Sequence, residues 1–153
     1  MILFQERSLA SVAVDVHAIM CARGVLVRER CDVENSGSIY WSDQEEKWIV
    51  DLRAQESWVR KRYTLAHELG HYVLHLGNGA RKDLSPLHRT ENPSTDRMER
   101  EANQYAAELL MPAGRIRNLY RNGTPLDELA AMFQVSKAAM GWRLHNLGLE
   151  RIG

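Results

Sequence analysis

The stretch RYTLAHELGHYVLH, residues 62–75, carries three histidines at steps of four residues and a glutamate directly after the first. Residues four apart share a face of an α-helix, with their Cβ atoms about 5–6 Å apart. His67 and His71 are therefore spaced to present one ring nitrogen each to a single zinc ion at about 2.0–2.1 Å. Glu68 projects roughly 100° around the helix. A glutamate there can take a proton from a metal-bound water, so the stretch predicts an H-E-x-x-H site.

The residues around this stretch predict a helix from about Ser57 to Leu76, with the histidines on a face beside its apolar stripe. His75 lies about 6 Å beyond His71 along the helix axis, so it cannot join the same ion. We expect it to donate a hydrogen bond or to pack beside the site. The alternative to a metal site is a partly buried helix with solvated or core-bonded histidines. The apolar stripe consists of Leu65, Leu69, Val73 and Leu76.

A third metal ligand has to come from elsewhere in the chain, and the segment MEREANQYAAELLMP, residues 98–112, offers carboxylates. Glu99 and Asn103 are four residues apart and share a helix face, and the alanines of this segment favour close approach of a second helix. Glu99 is the first candidate for completing a His₂Glu zinc site, and Glu101 is the second. Asn103 is placed to bond the far nitrogen of a ligand histidine. If His67 and His71 were absent, we would interpret Glu99 as a solvated charge on a helix face.

Taken together, RYTLAHELGHYVLH and EREANQYAAELLMP resemble the ImmA/IrrE family of zinc metallo-endopeptidases in order, spacing and flanking residues. The resemblance covers most of the chain and implies a zincin-like core. It implies that His67, His71 and Glu99 bind zinc and that Glu68 is the general base. It also places Asn103 as a partner of the ligands. Family members are often encoded beside a helix-turn-helix repressor or an antitoxin, which some of them cleave.

The sequence leaves two details of this site open. Peptide hydrolysis needs a hydrogen-bond donor for the tetrahedral intermediate besides the metal, and Tyr105, His88 and His75 are the candidates. Gly70 lies inside the predicted helix, where glycine costs about 1 kcal/mol relative to alanine. A close neighbour across that face would explain the glycine, and so would ordinary helix packing.

The rest of the chain predicts an α+β fold with a small three-stranded sheet packed against the histidine helix. A first helix is predicted from Ser8 to Arg23, with Gly24 as its end. Turn residues between short apolar runs favour an antiparallel meander, with a mixed sheet as the alternative. Residues 78–95 predict a loop. The predicted strands are Val25–Arg28, Ser38–Trp41 and Lys47–Leu52, and helices are predicted from about Ser94 to Leu110 or Met111 and from Pro112 to Tyr120.

Residues 125–147 have the layout of a helix-turn-helix, with Val135 at the turn and Ser136 as the cap of the second helix. The charges of the last thirty residues cancel, which favours packing or partner docking over direct DNA binding. We therefore predict a metallopeptidase domain over residues 1–122 and a helix-turn-helix-like segment packed on it over residues 123–153. The cancelling charges are Lys137, Arg143 and Arg151 against Asp127, Glu128 and Glu150.

The amino-acid composition restricts the class of protein further. Twenty basic residues balance twenty acidic ones across 153 residues, so no overall field attracts nucleic acid or an anionic membrane. Cys21 and Cys31 are too few for a disulfide scaffold, and Cys21 is predicted to be a buried free thiol. We see neither a signal peptide nor a stretch of about 18 apolar residues. These features predict a cytoplasmic protein that does not contact a membrane.

The histidine stretch favours a zinc (Zn²⁺) peptidase, and the family resemblance implies an endopeptidase of narrow specificity that cleaves a helix-turn-helix regulator or an antitoxin. Two alternatives remain. One is a non-catalytic toxin or sensor module that binds a regulator, and the other is a DNA-binding regulator that uses residues 125–147. Glu68 argues against a purely structural zinc site, which needs no base. The sequence does not indicate the oligomeric state, the activating signal or the scissile bond.

Overall fold

A computed structural model describes residues 13–84 and 93–149 of the chain, except the side chains of residues 93 and 94. Its three strands and six α-helices confirm the predicted α+β class. The described residues divide into two compact units, one within residues 15–106 and one formed by residues 13–14 and 107–149. The elements are α1 Val16–Ala22, β1 Leu26–Arg30, β2 Gly37–Ser42, β3 Lys47–Arg53, α2 Trp58–Leu74, α3 Pro93–Leu110, α4 Ala113–Arg121, α5 Leu126–Phe133 and α6 Lys137–Asn146, with 3₁₀ turns at Gly77–Gly79 and Lys82–Leu84.

Helix α1 is shorter than predicted within the described residues. Asp15 has an extended backbone, and its side chain accepts a hydrogen bond from the backbone N–H of Ala18, so this helix begins at Val16 and the predicted helix is wrong at residues 13–15. The predicted part at residues 8–12 lies outside the described residues. The predicted burial of Cys21 is wrong: the thiol is exposed, one position around the helix from the buried Met20.

The sheet is mixed, with strand order β1-β3-β2. Strand β1 is parallel to β3, and β2 is antiparallel to β3. The predicted meander is therefore wrong in its strand order, and the mixed alternative is confirmed. Five consecutive residues of β3 are buried, residues 48–52. A strand covered on both faces belongs in the centre of a sheet, which leaves β2 at an edge.

Helix α2 carries the histidine stretch and packs against β2, β3 and α1. Ser57 caps it by accepting from the backbone N–H of Arg60 at 3.3 Å. Its apolar side is buried in the core of this unit, where Leu65, Ala66 and Leu69 are at most 4% exposed. This packing therefore fixes the position of the histidine face of α2 relative to the sheet.

Helix α3 approaches α2 closely at Gly70. A Cβ atom there would lie 3.1 Å from the Cα and the backbone oxygen of Ala102 and 3.1 Å from the Cβ of Tyr105. Ala102 is completely buried. The close-neighbour explanation of Gly70 is thus confirmed, and this contact lies three residues from Glu99 along α3.

The predicted loop at 78–95 is partly wrong. Helix α3 already begins at Pro93, and two 3₁₀ turns, Gly77–Gly79 and Lys82–Leu84, lie at the beginning of the predicted loop. Residues 85–92, including His88, lie outside the described residues. The predicted helix after Pro112 is confirmed as α4.

The helix-turn-helix-like layout of residues 125–147 is confirmed. Gln134 ends α5 in the left-handed conformation, and Ser136 caps α6 by accepting from the backbone N–H of Ala139 at 3.0 Å. Phe133 and Val135 are buried between the two helices. Arg143 is also buried, and its Nε donates to the backbone oxygen of Met111 at 3.0 Å. One of the few positive charges of this segment is therefore withdrawn from the surface.

Candidate metal centre

The three predicted ligands meet at one point between α2 and α3. The Nε2 atoms of His67 and His71 are 3.2 Å apart. The two carboxylate oxygens of Glu99 lie 2.9 Å from His67 Nε2 and 3.0 Å from His71 Nε2. Ligands on a tetrahedral zinc with bonds of about 2.0–2.1 Å are about 3.4 Å apart. The set therefore has nearly the spacing that a tetrahedral metal ion requires.

The hydrogen bond of His67 to Asn103 shows that the donor set suits a cation. His67 Nδ1 lies 2.8 Å from the amide oxygen of Asn103, which can only accept, so the ring hydrogen is on Nδ1. Nε2 of the neutral ring then points a lone pair at a Glu99 oxygen 2.9 Å away. Two acceptors face each other favourably only when a proton or a metal cation lies between them. The chemistry of these donors fits a divalent metal.

His71 is held in the form that binds a metal. Burial is the main cause that lowers the pKa of His71 to about 4; the repulsion that a protonated His67 would exert adds to it, and Glu99 opposes it. The ring is 2% exposed. It is therefore neutral near pH 7, and a neutral imidazole is the ligand form of histidine.

His75 lies behind His71 and away from the ligand cluster. Its Nδ1 is 2.9 Å from His71 Nδ1, so one ring donates to the other. When His71 donates, its Nε2 lone pair is left for a metal. The other nitrogen of His75 is buried and lies 3.9 Å from a Glu101 oxygen. Glu101 thus lies beside His75, whereas Glu99 lies in the cluster.

Glu68 lies in a cleft beside the ligands and is 1% exposed. The cleft has a volume of about 580 Å³ and belongs to the unit of residues 15–106. One side is a face of α2, and the other includes the start of β2. The lining residues are Glu34, Asn35, Ser36, Gly37, Arg53, Glu56, Arg60, Tyr63, Thr64, His67, Glu68, Glu99 and Asn103.

Sequence reasoning missed part of this cleft. Arg60 and Tyr63 lie seven and four residues before His67, so helical spacing alone could have placed them on the same face. Arg53 comes at the end of β3, and no local pattern relates it to the histidines. Tyr105 packs against Gly70 and is not among the lining residues, and His88 lies outside the described residues.

These features match the arrangement of one class of metal site, an H-E-x-x-H helix with a carboxylate supplied by a second helix. Residues 22–145 match the family model described as the IrrE N-terminal-like domain, a peptidase family. The chain belongs to this family, and the ImmA/IrrE resemblance is confirmed.

The chain is also similar to two individual proteins. Metallopeptidase ImmA of Bacillus subtilis (strain 168) is 22% identical over 135 residues, which cover 80% of this chain and 76% of that protein. A Mycobacterium tuberculosis transcriptional regulator matches with a TM-score of 0.59 and 12% identity, over 93% of this chain and 45% of that one. This chain thus spans less than half of the regulator, and the likeness shows the fold. Among the described residues, no helix has the length and apolarity to span a membrane.

Proposed function

We propose that this protein is a zinc-dependent endopeptidase of narrow specificity that hydrolyses a peptide bond in a helix-turn-helix regulator or an antitoxin. The observation that carries the proposal is the convergence of His67, His71 and Glu99 beside the buried Glu68. Membership of a metallopeptidase family supports the same chemistry. Because such regulators act in the cytoplasm, we place the protein there.

His67, His71 and Glu99 would hold the zinc ion, which supplies a Lewis acid that activates water and polarises the scissile carbonyl. Glu68 takes the proton of the attacking water and passes it to the leaving amine. Its burial keeps bulk water from competing for that proton. Asn103 and His75 hold the two histidine rings in the tautomers that leave Nε2 free.

The edge strand supports an extended substrate. Within the described residues, strand β2 is an edge strand of the sheet beside β3, and its first residue, Gly37, lines the cleft. An edge strand can bind a peptide backbone by adding it as a further strand. We propose that the substrate lies along this edge with its scissile bond next to Glu68.

The non-catalytic alternatives have less support. A structural zinc site has no use for a buried carboxylate in an adjoining cleft, and Glu68 is such a group. A DNA-binding role for residues 125–147 would use Arg143, which is buried and bonded to Met111.

The proposal is tested by incubating the zinc-loaded protein with the helix-turn-helix proteins encoded beside its gene. We expect the wild type to cut one of them at a single bond and Glu68→Gln to bind zinc normally without cutting. Mass spectrometry of the products and metal analysis give the two readouts. Undiminished turnover by Glu68→Gln would remove Glu68 as the base.

A further inference from the structure

The cleft contains two buried polar atoms without hydrogen-bond partners, and both belong to the wall away from the metal ligands. They are Arg53 Nε and Glu56 Oε2. Among the described residues, the other such atom is on His75. Buried polar groups in native proteins nearly always have partners, and an exception needs an explanation such as an absent ligand. The far wall of the cleft is therefore the first place to look for a substrate contact.

One edge of the Arg53 guanidinium group has no partner among the described residues, and its Nε is buried. Nη1 donates to the backbone oxygen of Glu34 at 3.3 Å. Nε and Nη2 point their hydrogens to the other side, and within the described residues neither forms a hydrogen bond or an ion pair. Two parallel N–H groups of this kind match the two oxygens of a carboxylate.

The neighbouring acidic residue does not neutralise Arg53. One oxygen of Glu56 accepts from the hydroxyl of Ser36 at 2.7 Å, and the other lies 3.5 Å from Nε of Arg60. Glu56 is thus paired with Arg60. Glu34 offers Arg53 only its backbone oxygen. Among the described residues, therefore, no carboxylate pairs with Arg53.

The helix geometry gives the distance along α2 between Arg60, which lines the same cleft as Arg53, and the metal ligand His67. Arg60 contacts Glu56 and lies seven residues before His67 on the same face of α2. Seven residues of α-helix rise about 10 Å. An extended peptide covers that length in about three residues, at about 3.3 Å each.

We propose that the cleft has a carboxylate subsite at Arg53 and that the enzyme selects an aspartate or glutamate about three residues from the bond it cuts. This inference rests on the proposed function, since the metal ligands mark the scissile bond. Arg53 is a specificity residue and takes no part in the proton transfers. A neutral glutamine at the same substrate position would leave the charge of Arg53 unpaired.

The test uses peptide hydroxamates, whose hydroxamic acid binds zinc and fixes one end of the probe at the metal. The probes carry two, three or four residues, end in an amide, and have either Glu or Gln as the last residue. We expect the Glu probe to bind zinc-loaded wild type about tenfold more tightly than the Gln probe at one spacing, as for a hydrogen bond to a charged group. Arg53→Gln should bring the ratio to about one.

Two further variants and a second probe set complete the design. Arg30→Gln is the matched control, because Arg30 is opposite Arg53 in the sheet, pairs with Asp32 and lies outside the cleft. It should keep the preference. Arg53→Lys, which keeps the charge and loses the paired N–H groups, should retain only part of it. Probes that end in a free carboxylate instead of Glu distinguish a chain terminus from an acidic side chain as the bound group, and a gain for either supports the subsite.

The outcomes separate the two proposals. Equal binding of Glu and Gln probes at every spacing, with hydroxamates bound through zinc, would overturn the carboxylate subsite and leave the peptidase standing. A preference that survives in Arg53→Gln would also overturn it. A protein that binds neither zinc nor any hydroxamate would overturn the proposed function, and the subsite with it.

Discussion

Replacing Gly70 with alanine tests the close approach of α2 and α3 that brings Glu99 to the histidines. Alanine is favoured over glycine in a helix interior by about 0.8–1.0 kcal/mol. The added methyl group would lie 3.1 Å from two backbone atoms of Ala102 and 3.1 Å from the Cβ of Tyr105. Rotation about a side-chain bond cannot move any of these three atoms away. Overpacking of this kind costs about 1–3 kcal/mol. The net change in the free energy of unfolding is then a loss of about 0–2 kcal/mol.

Gly141 is the matched control, because it lies inside α6 and a Cβ there would meet nothing within 4 Å. Gly141→Ala should gain up to about 1 kcal/mol, so the two variants should differ by about 1–3 kcal/mol. Urea denaturation followed by circular dichroism measures both. A shift of α3 by a few tenths of an ångström also moves Glu99, and we expect zinc affinity of Gly70→Ala to fall about tenfold. If Gly70→Ala is stabilised as much as Gly141→Ala, the close approach is refuted.

Three further outcomes are expected. Asn103→Ala should weaken zinc binding about 10–100-fold in a chelator competition, because it frees the His67 ring, whereas Gln104→Ala should not. Asp51→Ala should lower the free energy of unfolding by about 1–3 kcal/mol in urea, because this buried carboxylate accepts hydrogen bonds from Arg28 and Tyr40 of the neighbouring strands. Asp32→Ala, at an exposed ion pair, should lower it much less. In zinc-free protein, NMR should show His71 titrating near pH 4, below the usual 6.5. Because the unfolded chain binds that proton first, stability falls as pH drops from 6.5 toward 4; titration of His71 near 6.5 would contradict its burial.

The parts of the fold that follow from local geometry could be predicted from the sequence. Ser57 and Ser136 were expected near helix starts, and both side chains accept the capping bonds. The meeting of His67 and His71 depends only on a four-residue spacing. Gly70 and Ala102 then permit the contact that brings Glu99 within 3.0 Å of both rings.

What could not be predicted depends on pairing between distant segments. Strands β1 and β2 are consecutive in the sequence, but in the sheet they are separated by β3. Strand β3 takes the central position because it has the longest run of buried residues. Cys21 is next to a buried residue in a helical pattern, yet it faces outward. The wall formed by Arg53, Glu56 and Arg60 joins a strand end, a turn and a helix start, and no sequence period relates Arg53 to the other two.

The most direct test of the metal centre is the zinc content of the purified wild type beside two single variants of α3. We expect about one zinc per chain in the wild type. Glu101→Ala should keep it, because Glu101 lies beside His75 and outside the cluster. Glu99→Ala should lose it or bind it far more weakly. Zinc retained by Glu99→Ala with unchanged affinity, or a wild type that takes up none, would contradict the His67–His71–Glu99 site.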